Sequence, residues 1–121
     1  MSIYSELILD HYQNPRNFGK ITHKSNKTHK SHVSNPLCGD EIEMELIIDK
    51  GVIKEIKFQG KGCAISLASA SMVTEFLKGK PKEQLQKLDK KSIIKLLGIE
   101  LGVNRIKCAL LPLEALKKLS K

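Results

Sequence analysis

The sequence predicts an α+β fold, a small antiparallel sheet with helices before and after it. Two observations carry this. Ile42, Met44, Leu46 and Ile48 alternate with Glu41, Glu43 and Glu45, the period-2 pattern of a strand with one buried face. On either side, in "SELILDHYQ" and again from Cys63 onward, apolar residues recur at helical spacing. The order helix, strands, helices then gives the class. A chain of 121 residues suits one domain, taken as 1–121.

Each element has a local reason. Ser2 can cap a helix reaching about Tyr12, with Ile3, Leu7 and His11 on one face and Tyr4, Ile8 and Tyr12 beside them. Asn14-Pro15 stops it, because the residue before proline avoids helical angles. The basic stretch Gly19 to Ser34 reads either as a mobile loop or as a poor edge strand around Thr28 to Val33. Asp49-Lys50-Gly51 turns the strand that begins at Asp40 into a second, "VIKEIKFQG", with Val52, Ile56 and Phe58 on one face and Lys54 interrupting. A helix follows from Cys63, with a small-residue middle of Ala68, Ser69, Ala70 and Ser71 suited to close packing. Gly79 and Pro81 close it. Two short helices come next, the second ending at Gly98. The last is expected from about Cys108 to Leu119, with Ala109, Leu113 and Leu116 inward. Pro112 fits only within a first turn, which forbids an earlier start.

Composition narrows the function. Aromatic residues are 4% of the chain and Trp is absent, so the core must come from Ile, Leu, Val and Ala. No apolar run approaches the ~20 residues of a membrane span. The N-terminal segment lacks a basic start and its apolar residues are interrupted by charge, unlike a secretory signal; a cytoplasmic protein is the expectation. The net charge of +8 raises a nucleic-acid reading, but the lysines are dispersed and few aromatics are present to stack on bases.

Three cysteines remain. Cys38 precedes a strand, Cys63 lies where a strand passes into a helix, and Cys108 is expected at the start of the last helix. They stand 25 and 45 residues apart, with no CxxC, so any joint site must be assembled by the fold. An odd count in a reducing compartment argues against a disulfide framework. Helix N-termini favour thiolates, the form that binds metal and attacks sulfur. Gly39 and Gly62 beside two of the cysteines permit close backbone approach. Each cysteine taken alone reads equally as a small buried apolar residue; their shared position at element ends points to one metal or redox site. Asp40 is either a fourth ligand or a strand-start residue. His29 and His32 have H-x2-H spacing, read as solvated residues or as ligands; His23 lies in the same basic segment, and His11 packs on the first helix.

Taken together, "SELILDHYQNPRNFG", "NPLCGDEIEM", "FQGKGCAISLASASMVTEFLKGK" and "RIKCALLPLEAL" resemble the NifU N-terminal-domain family of iron–sulfur scaffold proteins, which includes IscU and SufU. The likeness runs from about Ser2 to Leu119. It implies helices packed on one side of a sheet of about three strands, with a metal site at one end. The family's ligands fall on Cys38, Asp40, Cys63 and Cys108. Three thiolates and a carboxylate suit Zn2+ or a transient [2Fe–2S] cluster. Lys61, Arg105 and Lys107 adjoin the ligands and would offset their negative charge. The resemblance also implies a cysteine desulfurase as sulfur donor, with Cys38 and Cys108 as candidate persulfide acceptors. Apo iron–sulfur proteins or a carrier would receive the product. It implies a scaffold rather than an enzyme, with sulfurtransferase chemistry on the SufU side. IscU proteins carry histidine where this chain has Lys107, and SufU proteins carry an insertion between the second and third cysteines that this chain lacks. The ligand set is thus SufU-like on an IscU-like length.

Overall fold

A computed structural model describes residues 6–21, 28–35, 39–98 and 103–119, the side chains of 103–105 excepted. The elements run α1 (Glu6–Gln13), β1 (Thr28–Asn35), β2 (Asp40–Asp49), β3 (Val52–Lys61), α2 (Ala64–Leu77), α3 (Gln84–Lys87), α4 (Lys90–Leu97) and α5 (Val103–Leu119). The strands form one antiparallel sheet in the order β1-β2-β3. The α+β architecture and the three-stranded sheet are those expected.

The basic segment resolves in favour of the edge strand. β1 is mostly polar but pairs with β2 along its whole length, from Thr28↔Ile47 to Asn35↔Asp40. Helix α5 holds it from the other side. Ser31 Oγ donates to the Ala115 carbonyl at 2.8 Å, and Lys118 Nζ donates to the His32 carbonyl at 3.0 Å. Lys50 and Gly51, with φ of 55° and 77°, make the two-residue β2–β3 turn, a conformation whose twist matches the strands it joins.

Phe58, Ile56, Ile42, Met44 and Leu46 are buried in one core with Ile65, Ala68 and Val73 of α2 and with Ala109, Leu111, Ala115 and Leu116 of α5. Helix α2 packs on β3, α5 on β1 and β2, and α1 on α2. The β3 edge is covered at both ends. The Phe58 amide donates to the Asn17 carbonyl, the Gly19 amide to the Phe58 carbonyl, and the Ile53 amide to the Lys80 carbonyl.

Three local expectations need correction. Ile53, not Val52, faces the core: Ile53 is fully buried and Val52 is exposed. The cause is a register shift, in which Ile47 pairs with Glu55 but Ile48 with Ile53. Lys54 is then the extra residue of a bulge, and the phase of the strand flips across it. In α1, Ile8 and His11 face inward while Leu7 is 48% exposed; Ser2, Ile3 and Tyr4 lie outside the described residues. The third correction matters most for function. Helix α5 begins at Val103, so Pro112 lies in its interior and Cys108 is not at its start.

Candidate metal centre

The site forms where the N-terminal ends of β2 and α2 meet α5. Asp40 opens β2 and is 3% exposed. Its Oδ1 accepts the backbone N–H of Cys63 at 3.1 Å. Cys63 is the N-cap residue of α2, so Asp40 satisfies one of the free donors that begin that helix. The approach needs a glycine. At Gly62, with φ of 153°, a Cβ would overlap the Asp40 carboxylate. Gly39 has φ of 75° and open space around it, so it serves the turn rather than a close contact.

The carboxylate oxygen of Asp40 and the sulfurs of Cys63 and Cys108 all lie within 4.8 Å of one another, the one such grouping of His, Cys, Asp and Glu among the described residues. In a tetrahedral zinc site with Zn–S bonds of about 2.3 Å, neighbouring sulfurs stand ~3.8 Å apart. Small rotamer changes would bring the three groups to that spacing, and two soft sulfurs with one oxygen are chemically suitable. Cys38, two residues before Asp40, lies outside the described residues, as does His23. His29 and His32 are exposed and three apart on β1; side chains alternate along a strand, so these two point to opposite faces and do not converge. Lys61 and Lys107 are exposed beside the site, and the side chain of Arg105 lies outside the described residues. A groove of about 630 Å³ between β1 and α5, lined by His32, Val33, Leu113 and Lys117 among others, includes none of the three candidate ligands.

Cys63 sits at a helix N-terminus as expected; Cys108 does not. Burial pushes the Cys108 thiol well above its ordinary range, and the neighbouring Cys63 and Asp40 push it further. A bound cation would oppose this and favour the thiolate.

Ser66 is a further member of the site, not singled out by the sequence motifs. This serine is fully buried and lies between the three groups. Its Oγ donates to Asp40 Oδ2 at 2.6 Å or to the Cys108 carbonyl at 3.1 Å, and it receives the Cys63 thiol at 3.7 Å. Its place three residues after Cys63, on the same turn of α2, was the available signal.

A second polar cluster lies on the opposite flank of α2. Ser71 Oγ accepts the Arg16 amide at 2.8 Å and lies 2.7 Å from His11 Nδ1. Ser71 Oγ has a second lone pair as well as its proton, so the imidazole Nδ1 either donates to it or accepts from it according to its tautomer. Burial lowers the His11 pKa, Arg16 adds to the effect, and Asp10 and Glu75 oppose it.

Comparison with known proteins agrees with this geometry. The model of the NifU-like N terminal domain matches residues 3–120. The chain is 37% identical to the zinc-dependent sulfurtransferase SufU of Bacillus subtilis strain 168 over 134 aligned positions, 97% of this chain and 88% of that protein. It is 36% identical to the iron–sulfur cluster assembly scaffold protein IscU of Escherichia coli K12 over 115 positions, 94% and 88% of the two. The longer SufU alignment exceeds the 121 residues here, so that relative carries positions this chain lacks. Among solved structures, FiSufU of Fervidobacterium islandicum AW-1, titled as a SUF-system cluster assembly scaffold, superposes with a TM-score of 0.79 at 31% identity, covering 98% of this chain and 97% of that one. Sequence motifs, fold and site geometry thus converge: the chain belongs to the NifU-like N-terminal domain family.

Proposed function

We propose that this protein, with residues 1–121 acting as one domain, serves iron–sulfur cluster assembly as a scaffold or sulfur acceptor supplied by a cysteine desulfurase. The observation that carries the reading is the convergence of Asp40, Cys63 and Cys108 within 4.8 Å. Cys38 completes the set in this proposal. Two residues of chain keep its Cα within about 7.6 Å of that of Asp40. Three thiolates and a carboxylate would hold Zn2+ or the iron of a [2Fe–2S] cluster, and the metal would supply the charge that keeps the thiols deprotonated. A carboxylate is the poorest partner for soft iron–sulfide units in this set, which favours later release to an apo protein or carrier.

As sulfur acceptor, a cysteine thiolate attacks the outer sulfur of the desulfurase persulfide. A new S–S bond forms on this chain, the old one breaks, and the desulfurase thiolate leaves. Of the two candidates this reading favours Cys38, which precedes Gly39 in the sequence; Cys108 is half-buried, and its carbonyl meets Ser66 of α2. A cytoplasmic setting fits this chemistry, and no described helix is long and apolar enough to cross a membrane.

The second reading is a zinc-dependent sulfurtransferase that does not itself hold a cluster. Its support is the 37% identity to a protein of that name and Lys107 before the last cysteine. Anaerobic incubation with iron, cysteine and a desulfurase, followed by metal and acid-labile sulfide analysis, separates the two. Iron and sulfide in equal amounts on the protein support the scaffold. A colourless protein with one zinc and strongly raised desulfurase turnover supports the transferase. Failure to bind both iron and zinc would overturn both readings.

A further inference from the structure

We infer that Ser66 is a positioning residue for the metal centre, working as a pair with Pro112; the inference rests on the metal-binding reading above. The physical argument starts in α5. In an α-helix the N–H of residue 112 would bond the carbonyl of Cys108, but proline has no N–H. The interior Pro112 therefore releases the Cys108 carbonyl from the helical ladder. That carbonyl is met by the Ser66 hydroxyl at 3.1 Å. The same hydroxyl lies 2.6 Å from Asp40 Oδ2.

A hydroxyl has one proton to donate. Ser66 is fully buried, so no solvent competes for it. Of its two acceptors, the charged Asp40 carboxylate is the stronger. When an ion draws on the carboxylate, the proton can turn to the Cys108 carbonyl without moving the serine. Ser66 thus links candidate ligands from three elements, β2, α2 and α5, and keeps a partner in either state. An orienting partner behind a metal ligand is typically worth about 10- to 100-fold in affinity.

Ser69 provides the control. It lies one turn further along α2, is 2% exposed, and donates to the next carbonyl of α5, that of Ala109, at 2.7 Å. It ties the same two helices but has no hydrogen bond to Asp40, Cys63 or Cys108, the candidate ligands among the described residues. The test is zinc affinity by competition with a chromogenic chelator, alongside thermal melting of the metal-free protein. It compares wild type, Ser66→Ala, Ser69→Ala, Pro112→Ala and the Ser66→Ala/Pro112→Ala double variant. Both serine variants should melt lower than wild type. Zinc affinity should fall about 10- to 100-fold in Ser66→Ala and change less than about twofold in Ser69→Ala. Restoring an N–H at position 112 gives the Cys108 carbonyl a helical partner, so Ser66→Ala should cost less in the Pro112→Ala background. Should Ser66→Ala alone fail to fold, the double variant measured against Pro112→Ala carries the comparison. Equal zinc affinity in Ser66→Ala and Ser69→Ala overturns the inference while leaving the metal site intact. A wild-type protein that takes up no zinc overturns the metal-binding reading, and this inference with it.

Discussion

Helix α2 carries two polar seams, and they end differently. On the flank facing α1, Ser71 links His11 to the Arg16 amide, and Thr74 Oγ1 accepts from the Asn17 side chain at 3.2 Å. Donors and acceptors match there, and the seam needs nothing from outside. Facing α5, Ser66 has one proton for an aspartate and a backbone carbonyl, and it accepts from the Cys63 thiol. Two sulfurs and a carboxylate lie within 4.8 Å of one another there. The first seam is built to hold structure. The second gathers two soft sulfurs and a carboxylate whose lone pairs an ion could share.

The largest expected effect breaks the second seam and spares the first. Cys63→Ser and Cys108→Ser should each lose at least about 100-fold in zinc affinity, more than loss of an orienting partner. They should also lose the zinc-induced rise in melting temperature, worth about 2.7 kcal/mol at a hundredfold excess over Kd. Melting curves with and without zinc check this.

A smaller effect is expected at the glycines. Gly62→Ala should destabilise by about 1–3 kcal/mol, since it combines an unfavourable φ with an overlap on Asp40. Gly39→Ala meets only open space and should cost about 1–2 kcal/mol. Urea unfolding of the metal-free variants ranks the two. Zinc affinity should fall with the first, which displaces a candidate ligand.

The first seam should respond to pH instead. His11 has a folded-state pKa below its ordinary value of 6.5. The unfolded chain then binds the proton more readily, so the stabilisation is complete above 6.5 and is lost as pH falls below it. Metal-free wild type should melt progressively lower from pH 7 to pH 5, and His11→Gln should show a flatter profile. Identical slopes would remove His11 as the cause.

The smallest expected effect is at Lys107, exposed on α5 beside Cys108. Lys107→His offers a neutral nitrogen ligand where IscU proteins carry one. A reconstituted cluster should decay more slowly, by about twofold or more if the added nitrogen contributes even ~0.5 kcal/mol. Sulfur acceptance should slow in parallel. Visible absorption and sulfide release measure the two halves, and no change in either places position 107 outside the site.

Much of this was legible in the chain. β2 declared itself because its glutamates alternate with Ile42, Met44 and Leu46, which are all fully buried. Cys63 declared itself because a glycine-flanked cysteine marks the strand-to-helix junction. The bulge at Lys54 was not legible, because strand register depends on the partner strand and not on local pattern. The start of α5 was misread for a related reason. Proline inside a helix is costly when the carbonyl it frees has no partner, and here Ser66, 42 positions away in the fold's long-range contacts, lies within hydrogen-bonding distance of it. The same contact hid Ser66 from the reading of the site. Its spacing from Cys63 was visible along α2, but its contacts with Asp40 and with the Cys108 carbonyl depend on where β2 and α5 pass.

The central claim is that one ion is held by Cys38, Asp40, Cys63 and Cys108. Zinc K-edge absorption spectroscopy on the protein loaded with one zinc per chain tests it most directly. The expected shell is three sulfurs at about 2.3 Å and one oxygen at about 2.0–2.2 Å, reduced to two sulfurs in Cys63→Ser. A shell of nitrogen and oxygen only, or one unchanged by Cys63→Ser, would contradict it.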